Sequence, residues 1–203
     1  MPKSPIVEKF VRFCSSEFGK RVLEREGKHL HSKLKGRKRI LDAGCGIGSF
    51  EEMLHTLNIT GLDSSEEMLD EARKRSRKTF VLGSAQNLPF SDSSFDAVFF
   101  VTSLEFLDDY QTAIDEAARV LEPKGRLVVM MLNTLSRYFE SHARRKASYF
   151  RRIKHRDIAE IERCISNSFL AKGEYIMGID GARIFESSEE EWAALYVITG
   201  TKK

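Results

Sequence analysis

Hydrophobic positions change rhythm along this chain. Ile6, Phe10 and Phe13, with Val7, Val11 and Cys14, recur at helical spacing, and Val22, Leu23, Glu26, Leu30 and Leu34 follow after Gly19. The first 38 residues therefore read as two helices. From Arg39 short apolar runs alternate with helical stripes. Arg39 to Ala43, Ile59 to Asp63, Thr79 to Leu82, Phe95 to Val101 and Arg126 to Leu132 read as strands. Phe50, Met53, Leu54 and Leu57 mark a helix after the first strand. Ser64 to Glu67 has capping-box spacing and opens a helix through Met68, Leu69 and Ala72. Ile114, Ala117, Ala118 and Leu121 mark another, which Pro123-Lys124-Gly125 stops.

Strands separated by helices predict right-handed crossovers and a mostly parallel, doubly wound α/β sheet. The rhythm breaks after Leu132. A polar, basic stretch runs to about Arg156, then a helix through Ile158, Ile161 and Ile165. Two strands close the chain, near Glu174 to Ile179 and Trp192 to Thr199. The whole, 1–203, reads as one domain. Its parts are N-terminal helices (1–38), a core (39–132), a basic insertion (133–156) and a C-terminal helix with strands (157–203).

Composition adds limits. At 203 residues, 41% hydrophobic, the chain is long enough for a core. Met1-Pro2-Lys3-Ser4-Pro5 is followed by no signal-peptide h-region, and no apolar run approaches the ~20 residues of a membrane span. Cys14, Cys45 and Cys164 are too few and too scattered for a zinc site or a disulfide framework. The expectation is a cytoplasmic protein without metal.

The most informative stretch is Ile40-Leu41-Asp42-Ala43-Gly44-Cys45-Gly46-Ile47-Gly48. It leaves a strand, turns on glycines and enters a helix, whose unpaired N–H groups favour an anionic ligand group. A dinucleotide fingerprint, Gly-x-Gly-x-x-Gly, would place its last glycine at Ser49. Asp63 ends the second strand about 20 residues later, where a carboxylate accepts from ribose hydroxyls. Met68, one turn on, covers an adenine or simply packs in the core.

The pattern Asp-x-Gly-x-Gly-x-Gly resembles the first motif of class I S-adenosylmethionine-dependent methyltransferases. Leu82 to Phe90, Ser94 to Val98 and Glu116 to Leu127 resemble later motifs of the same family, closest to its type 11 subgroup. The resemblance spans about Arg39 to Leu132. It implies a seven-stranded Rossmann-like sheet with an antiparallel C-terminal hairpin. It also implies binding of S-adenosylmethionine, with S-adenosylhomocysteine as product. Gly44, Cys45 and Gly46 would line the methionine part, and Asp42 would organise the loop and contact the amino group, directly or through water. Asp63, with Ser64 beside it, would hold the ribose. Ser84, Ala85 and Gln86 would flank the adenine edge, and Thr102 would offer its carbonyl to the ammonium. Ser84 stands where relatives usually carry Asp. Lys124 replaces the second glycine of a usual Pro-Gly-Gly turn.

Alignment of a nucleophile behind the methyl group is the main catalytic task, and a base is required only for an acceptor protonated at neutral pH. Glu105 follows the fourth strand, but reads first as a solvated loop carboxylate or helix cap. Tyr138, His142 and His155 fall in the region covering the site and read first as surface residues. Between Ser136 and Arg156, eight Lys and Arg oppose the lone Glu140, a net +7 in a chain whose total is +3. Tyr138, Phe139, Tyr149 and Phe150 interleave with them. A solvated amphipathic element with its aromatics packed down fits this stretch. So do a steering surface for an anionic small molecule, an RNA contact and an anionic membrane surface. The sequence supports methyl transfer to a small-molecule acceptor. The alternatives are an RNA methyltransferase or a non-catalytic S-adenosylmethionine-binding partner subunit. No Asn-Pro-Pro-Tyr-type motif follows the fourth strand, where Val101-Thr102-Ser103-Leu104-Glu105 stands.

Overall fold

A computed structural model describes residues 4–146 and 148–203. Of the N-terminal pentapeptide, Met1, Pro2 and Lys3 lie outside the described residues. The chain runs α1 (Pro5–Ser15), α2 (Glu17–Leu34), β1 (Ile40–Ala43), α3 (Ser49–Met53), β2 (Ile59–Asp63), α4 (Glu66–Arg75), β3 (Thr79–Leu82) and β4 (Phe95–Val101). It continues with α5 (Tyr110–Val120), β5 (Leu121–Leu132), α6 (Arg137–Ala143), α7 (Ile158–Ser168), β6 (Phe169–Asp180), β7 (Arg183–Phe185) and β8 (Ala193–Lys202). Short 3-10 turns lie at Leu104–Phe106 and Tyr149–Arg152.

The strands form one sheet in the order β3-β2-β1-β4-β5-β8-β6-β7. β3 to β5 are parallel; β8 lies antiparallel to both β5 and β6. The sheet thus has eight strands, not the seven expected. The addition is β7, a three-residue strand pairing with the end of β6, too short to leave a period-2 signal.

Alternation along the central strands divides the core. Leu41, Ala43, Val98, Phe100, Leu127 and Val129 face α5 and α7. Ile40, Ala97, Phe99, Val101, Val128 and Met130 face α2, α3 and α6. Asp42 lies between Leu41 and Ala43, so its side chain belongs to the α3 side. That places a carboxylate under the loop between β1 and α3.

Several expected boundaries move. The first helix break is at Ser16, whose Oγ caps α2 by accepting from Gly19 N at 3.0 Å. Gly19 sits inside α2 because a Cβ there would meet the Phe13 carbonyl oxygen at 1.9 Å. Ser65, not Ser64, caps α4, accepting from Met68 N at 3.4 Å. α3 closes after one turn, leaving Leu57 beyond it. β5 begins at Leu121, ahead of Pro123-Lys124-Gly125, and a register shift against Phe95 and Ala97 absorbs those residues. β6 begins at Phe169, earlier than Glu174. Among the described residues no helix is long and apolar enough to cross a membrane.

Candidate active site

The loop after β1 is built by its glycines. Gly44, Gly46 and Gly48 adopt φ of +92°, +54° and +71°, a region costly for residues with a Cβ. Gly44 N and Cys45 N both donate to the Leu62 carbonyl, at 2.7 and 2.9 Å. Ser103 Oγ, beyond β4, donates to the Ala43 carbonyl at 3.0 Å. A Cβ at Gly44 would lie 2.6 Å from that of Ser103. The glycine loop therefore sits directly against the end of β4. Gly48 has a different reason: a Cβ there would meet Ala72 of α4 at 2.9 Å.

Asp63 is tied into this loop. Its Oδ2 accepts from Gly46 N and its Oδ1 from Ser65 N, each at 2.9 Å. Burial raises its pKa, opposed by bonds from Ser65, Gly46 and Ser64. Each carboxylate oxygen keeps a further lone pair, so the side chain can accept from a diol while holding the loop. Ser64 is exposed and Met68 half-buried nearby. Gly83 N donates to the Asp63 carbonyl at 3.0 Å, which brings the turn after β3 alongside. In that turn Ser84 is exposed, Ala85 buried and Gln86 half-buried, and Ser84 Oγ accepts from Gln86 N at 3.1 Å. Glu116 and Arg119 of α5 brace it. Glu116 accepts from Leu88 N at 2.7 Å, and Arg119 donates to the carbonyls of Leu88 and Phe90. Thr102 takes a left-handed φ of +45° while its N donates to the Met130 carbonyl at 2.8 Å. Asp42, Gly44, Cys45, Gly46, Asp63, Ser84 and Thr102 thus converge at the carboxyl ends of β1 to β4, where ligands of open α/β sheets bind.

Burial of two carboxylates beneath the loop is tighter than the sequence suggested. Asp42 is 1% exposed and Glu51, on α3, is 0% exposed. Cys45 is also buried, and burial, then Asp42, Glu51 and Asp63, push its thiol far up. A thiol held neutral and buried in this way is a weak nucleophile. The sequence offered no sign that Glu51 differs from Glu52; only the phase of α3 separates them.

Glu105 departs most from expectation. It is no solvated loop carboxylate but 2% exposed, on the turn after β4. Its Oε1 accepts from Leu132 N at 3.1 Å and its Oε2 has no partner. Burial raises its pKa to about 7. A signal was present, since Glu105 stands between Leu104 and Phe106 inside an apolar run. Its carbonyl accepts from Lys154 N and His155 N, at 3.0 and 3.2 Å, and so anchors the basic insertion over the end of β4.

The insertion packs its aromatics inward, save one. Tyr138, expected on the surface, is 9% exposed. Its ring lies 4.3 Å from that of His142 and 5.6 Å from that of Phe150. Burial first, then the charge of Glu26, lifts its hydroxyl to about 12. Glu26, on α2, is itself buried and raised to about 7. His142 Nδ1 lies 2.9 Å from the Tyr138 carbonyl. His155 Nε2 lies 3.0 Å from the Leu107 carbonyl, with its ring edge-on to Tyr110. Tyr149 is 41% exposed, and its ring lies tilted against that of Phe106, with centroids 4.6 Å apart. Its hydroxyl is nevertheless raised to about 12, by burial and then by Glu105. Phe106 covers part of the ring, which keeps an open face.

A family model described as a methyltransferase domain matches residues 41–129. A demethylmenaquinone methyltransferase of Thermotoga maritima is 41% identical over 100 residues, 47% of this chain and 44% of that protein. A phthiotriol/phenolphthiotriol dimycocerosates methyltransferase of Mycobacterium ulcerans is 33% identical over 146 residues, 68% of this chain and 54% of that protein. The chain spans about half the length of the curated relatives it matches. A solved S-adenosylmethionine-dependent methyltransferase of Thermotoga maritima superposes with a TM-score of 0.83 at 25% identity, covering 97% of this chain and 96% of that one. Its likeness runs over the N-terminal helices and the C-terminal strands as well as the motif region. Residues 41–129 match the methyltransferase domain family, and the fold around them is the Rossmann-like fold of a solved S-adenosylmethionine-dependent methyltransferase.

Proposed function

We propose that the protein transfers a methyl group from S-adenosylmethionine to a small-molecule acceptor held between the end of β4 and the basic insertion. The observation that carries this reading is the bond from Gly46 N to Asp63, which fixes a carboxylate with lone pairs to spare for a diol against a bare-backbone loop. The cofactor supplies an electrophilic methyl group on a sulfonium. The chain's own part is to hold and orient it. In this reading Asp63 and Ser64 take the ribose, and Met68, Ser84, Ala85 and Gln86 border the adenine. Gly44, Cys45, Gly46 and the Thr102 carbonyl receive the amino-acid end. Glu105, with one oxygen engaged by Leu132 N and the other free, faces the acceptor as a hydrogen-bond acceptor or base. Tyr149 walls the same space; Tyr138 and His142 support the cover from behind.

The cations of the insertion favour an anionic acceptor. Arg137, Arg144 and Lys154 pair with Glu191, Glu140 and Asp108. Among the described residues Arg145, Lys146, Arg151, Arg152 and Arg156 have no carboxylate partner. Arg152 and Arg156 lie instead over the rings of Tyr149 and Phe139. An RNA acceptor fits this surface less well. Base stacking needs exposed rings, and of the four interleaved aromatics only Tyr149 is exposed. The test is release of S-adenosylhomocysteine on incubation with S-adenosylmethionine and a panel of hydroxyl and amine compounds, acidic and neutral. Turnover with members of the panel supports the reading. Tight cofactor binding with no turnover on any member, or on RNA, supports a non-catalytic partner subunit.

A further inference from the structure

Three carboxylate oxygens lie buried together beneath the glycine loop without an ordinary partner: Oδ2 of Asp42 and both oxygens of Glu51. The two carboxyls are within hydrogen-bonding reach of each other. Neither carries a donor unless one holds a proton. Both are fully buried, and two ionised carboxylates in contact inside a protein are strongly disfavoured. The packing keeps them together. Gly61, the β2 partner of Asp42, leaves room for them: a Cβ there would stand 2.9 Å from Glu51 Oε1 and 2.9 Å from Cys45 Sγ.

We propose that Glu51 is a positioning residue for the cofactor's amino-acid end: it shares one proton with Asp42, so that the pair presents a single negative charge under Gly44 and Gly46. This rests on the cofactor reading given above. The surrounding groups agree. Burial raises Asp42 well above the carboxylate range, with Glu51 next and Asp63 also contributing, and it raises Glu51 to about 7. The buried Cys45 thiol stays neutral. Lys78 is the cation that lowers Glu51, and its ammonium is held by the carbonyls of His55 and Leu57, with no bond to the pair. Among the described residues, no other cation lowers either carboxyl.

A shared proton has a measurable consequence. A ligand ammonium arriving above the loop favours full ionisation of the pair, so binding releases part of the proton and tightens as pH rises. Calorimetric titration of the full chain with S-adenosylhomocysteine between about pH 6 and 8 reads this directly. Wild-type affinity should rise severalfold over that range, with a ceiling of about tenfold per pH unit for one proton. Glu51→Gln supplies an amide donor in place of the shared proton. It should bind at pH 7 as tightly as wild type, with the rise flattened. Glu51→Leu, which supplies no donor, should bind about tenfold more weakly, as expected for one lost charge-assisted bond. The ligand's own amine titrates equally in all three proteins and cancels in the comparison.

An unchanged pH slope in Glu51→Gln overturns the proposal, as does wild-type binding with no slope. Wild-type protein that binds no S-adenosylhomocysteine at any pH overturns the cofactor reading itself, and this inference with it. Should Glu51→Gln fail to fold, carboxyl 13C NMR of the unliganded wild-type protein decides. Asp42 and Glu51 titrating as a pair supports the shared proton. Independent titration at ordinary carboxylate values refutes it.

Discussion

Glu105 accepts a hydrogen bond from the backbone N–H of Leu132 at 3.1 Å while its second oxygen, equally buried, has no partner. The pairing fixes the side chain at the end of β4 and leaves its second oxygen buried and unsatisfied. Such a half-satisfied carboxyl costs stability when ionised.

The cost sets a pH dependence. Glu105 is raised from 4.5 to about 7 in the folded protein. Below pH 4.5 the group is neutral in both states and imposes no cost. Between the two values the unfolded chain loses the proton first, so stability falls as pH rises. Above the folded value the loss is complete, about 3 kcal/mol for such a shift. Glu105→Gln, neutral throughout, should gain on wild type by roughly that amount between pH 4 and 8 in urea unfolding. Glu26 and Glu51 are raised in the same direction, so a shallower slope should remain in the variant. An equal slope in both proteins would place the Glu105 carboxyl in water.

Gly44→Ala should abolish cofactor binding and destabilise the fold by about 1–3 kcal/mol, because a left-handed residue gains a Cβ with no room for it. Ser103 is 2.6 Å from that position. Gly181, also left-handed but with nothing within 4 Å, is the control. Gly181→Ala should cost about 1 kcal/mol and leave binding intact. Thermal unfolding with and without S-adenosylhomocysteine compares the two, and equal effects would mean that the β4 contact contributes nothing.

Much of this site was legible in the sequence because backbone geometry dictated it. A tight turn with left-handed residues needs glycine, so Gly44, Gly46 and Gly48 announced the loop, and a carboxylate ending the next strand had few places to go but beside it. Side-chain burial was less legible. Glu51 and Glu52 look alike in a helical first turn, and only the phase of a five-residue helix sends one inward. Glu105 carried a hint in its apolar neighbours, but a lone acid after a strand more often meets solvent. Capping-box spacing to Glu67 favoured Ser64 as the cap, and the turn geometry chose Ser65. β7 escaped notice because three residues carry no period.

The basic insertion should act on the acceptor and not on the cofactor. Arg151→Glu with Arg152→Glu should leave S-adenosylhomocysteine affinity within about twofold, since exposed charges at this distance are screened. The same change should lower kcat/KM for acidic acceptors more than for neutral ones, and salt should erode the wild-type preference in the same way. Steady-state kinetics on matched acidic and neutral members of the acceptor panel measures both. Equal losses for the two would show that the cations play no part in steering.

The central claim is that Asp63, held by Gly46, is where the cofactor's ribose binds. Calorimetric titration of wild type and Asp63→Ala with S-adenosylhomocysteine, with NADH as control, tests it most directly. The account predicts binding of S-adenosylhomocysteine and not NADH by wild type. It predicts a loss of more than about tenfold in the variant, as two charge-assisted hydrogen bonds disappear. Unchanged affinity in a folded Asp63→Ala protein, or preferential binding of NADH, would contradict it.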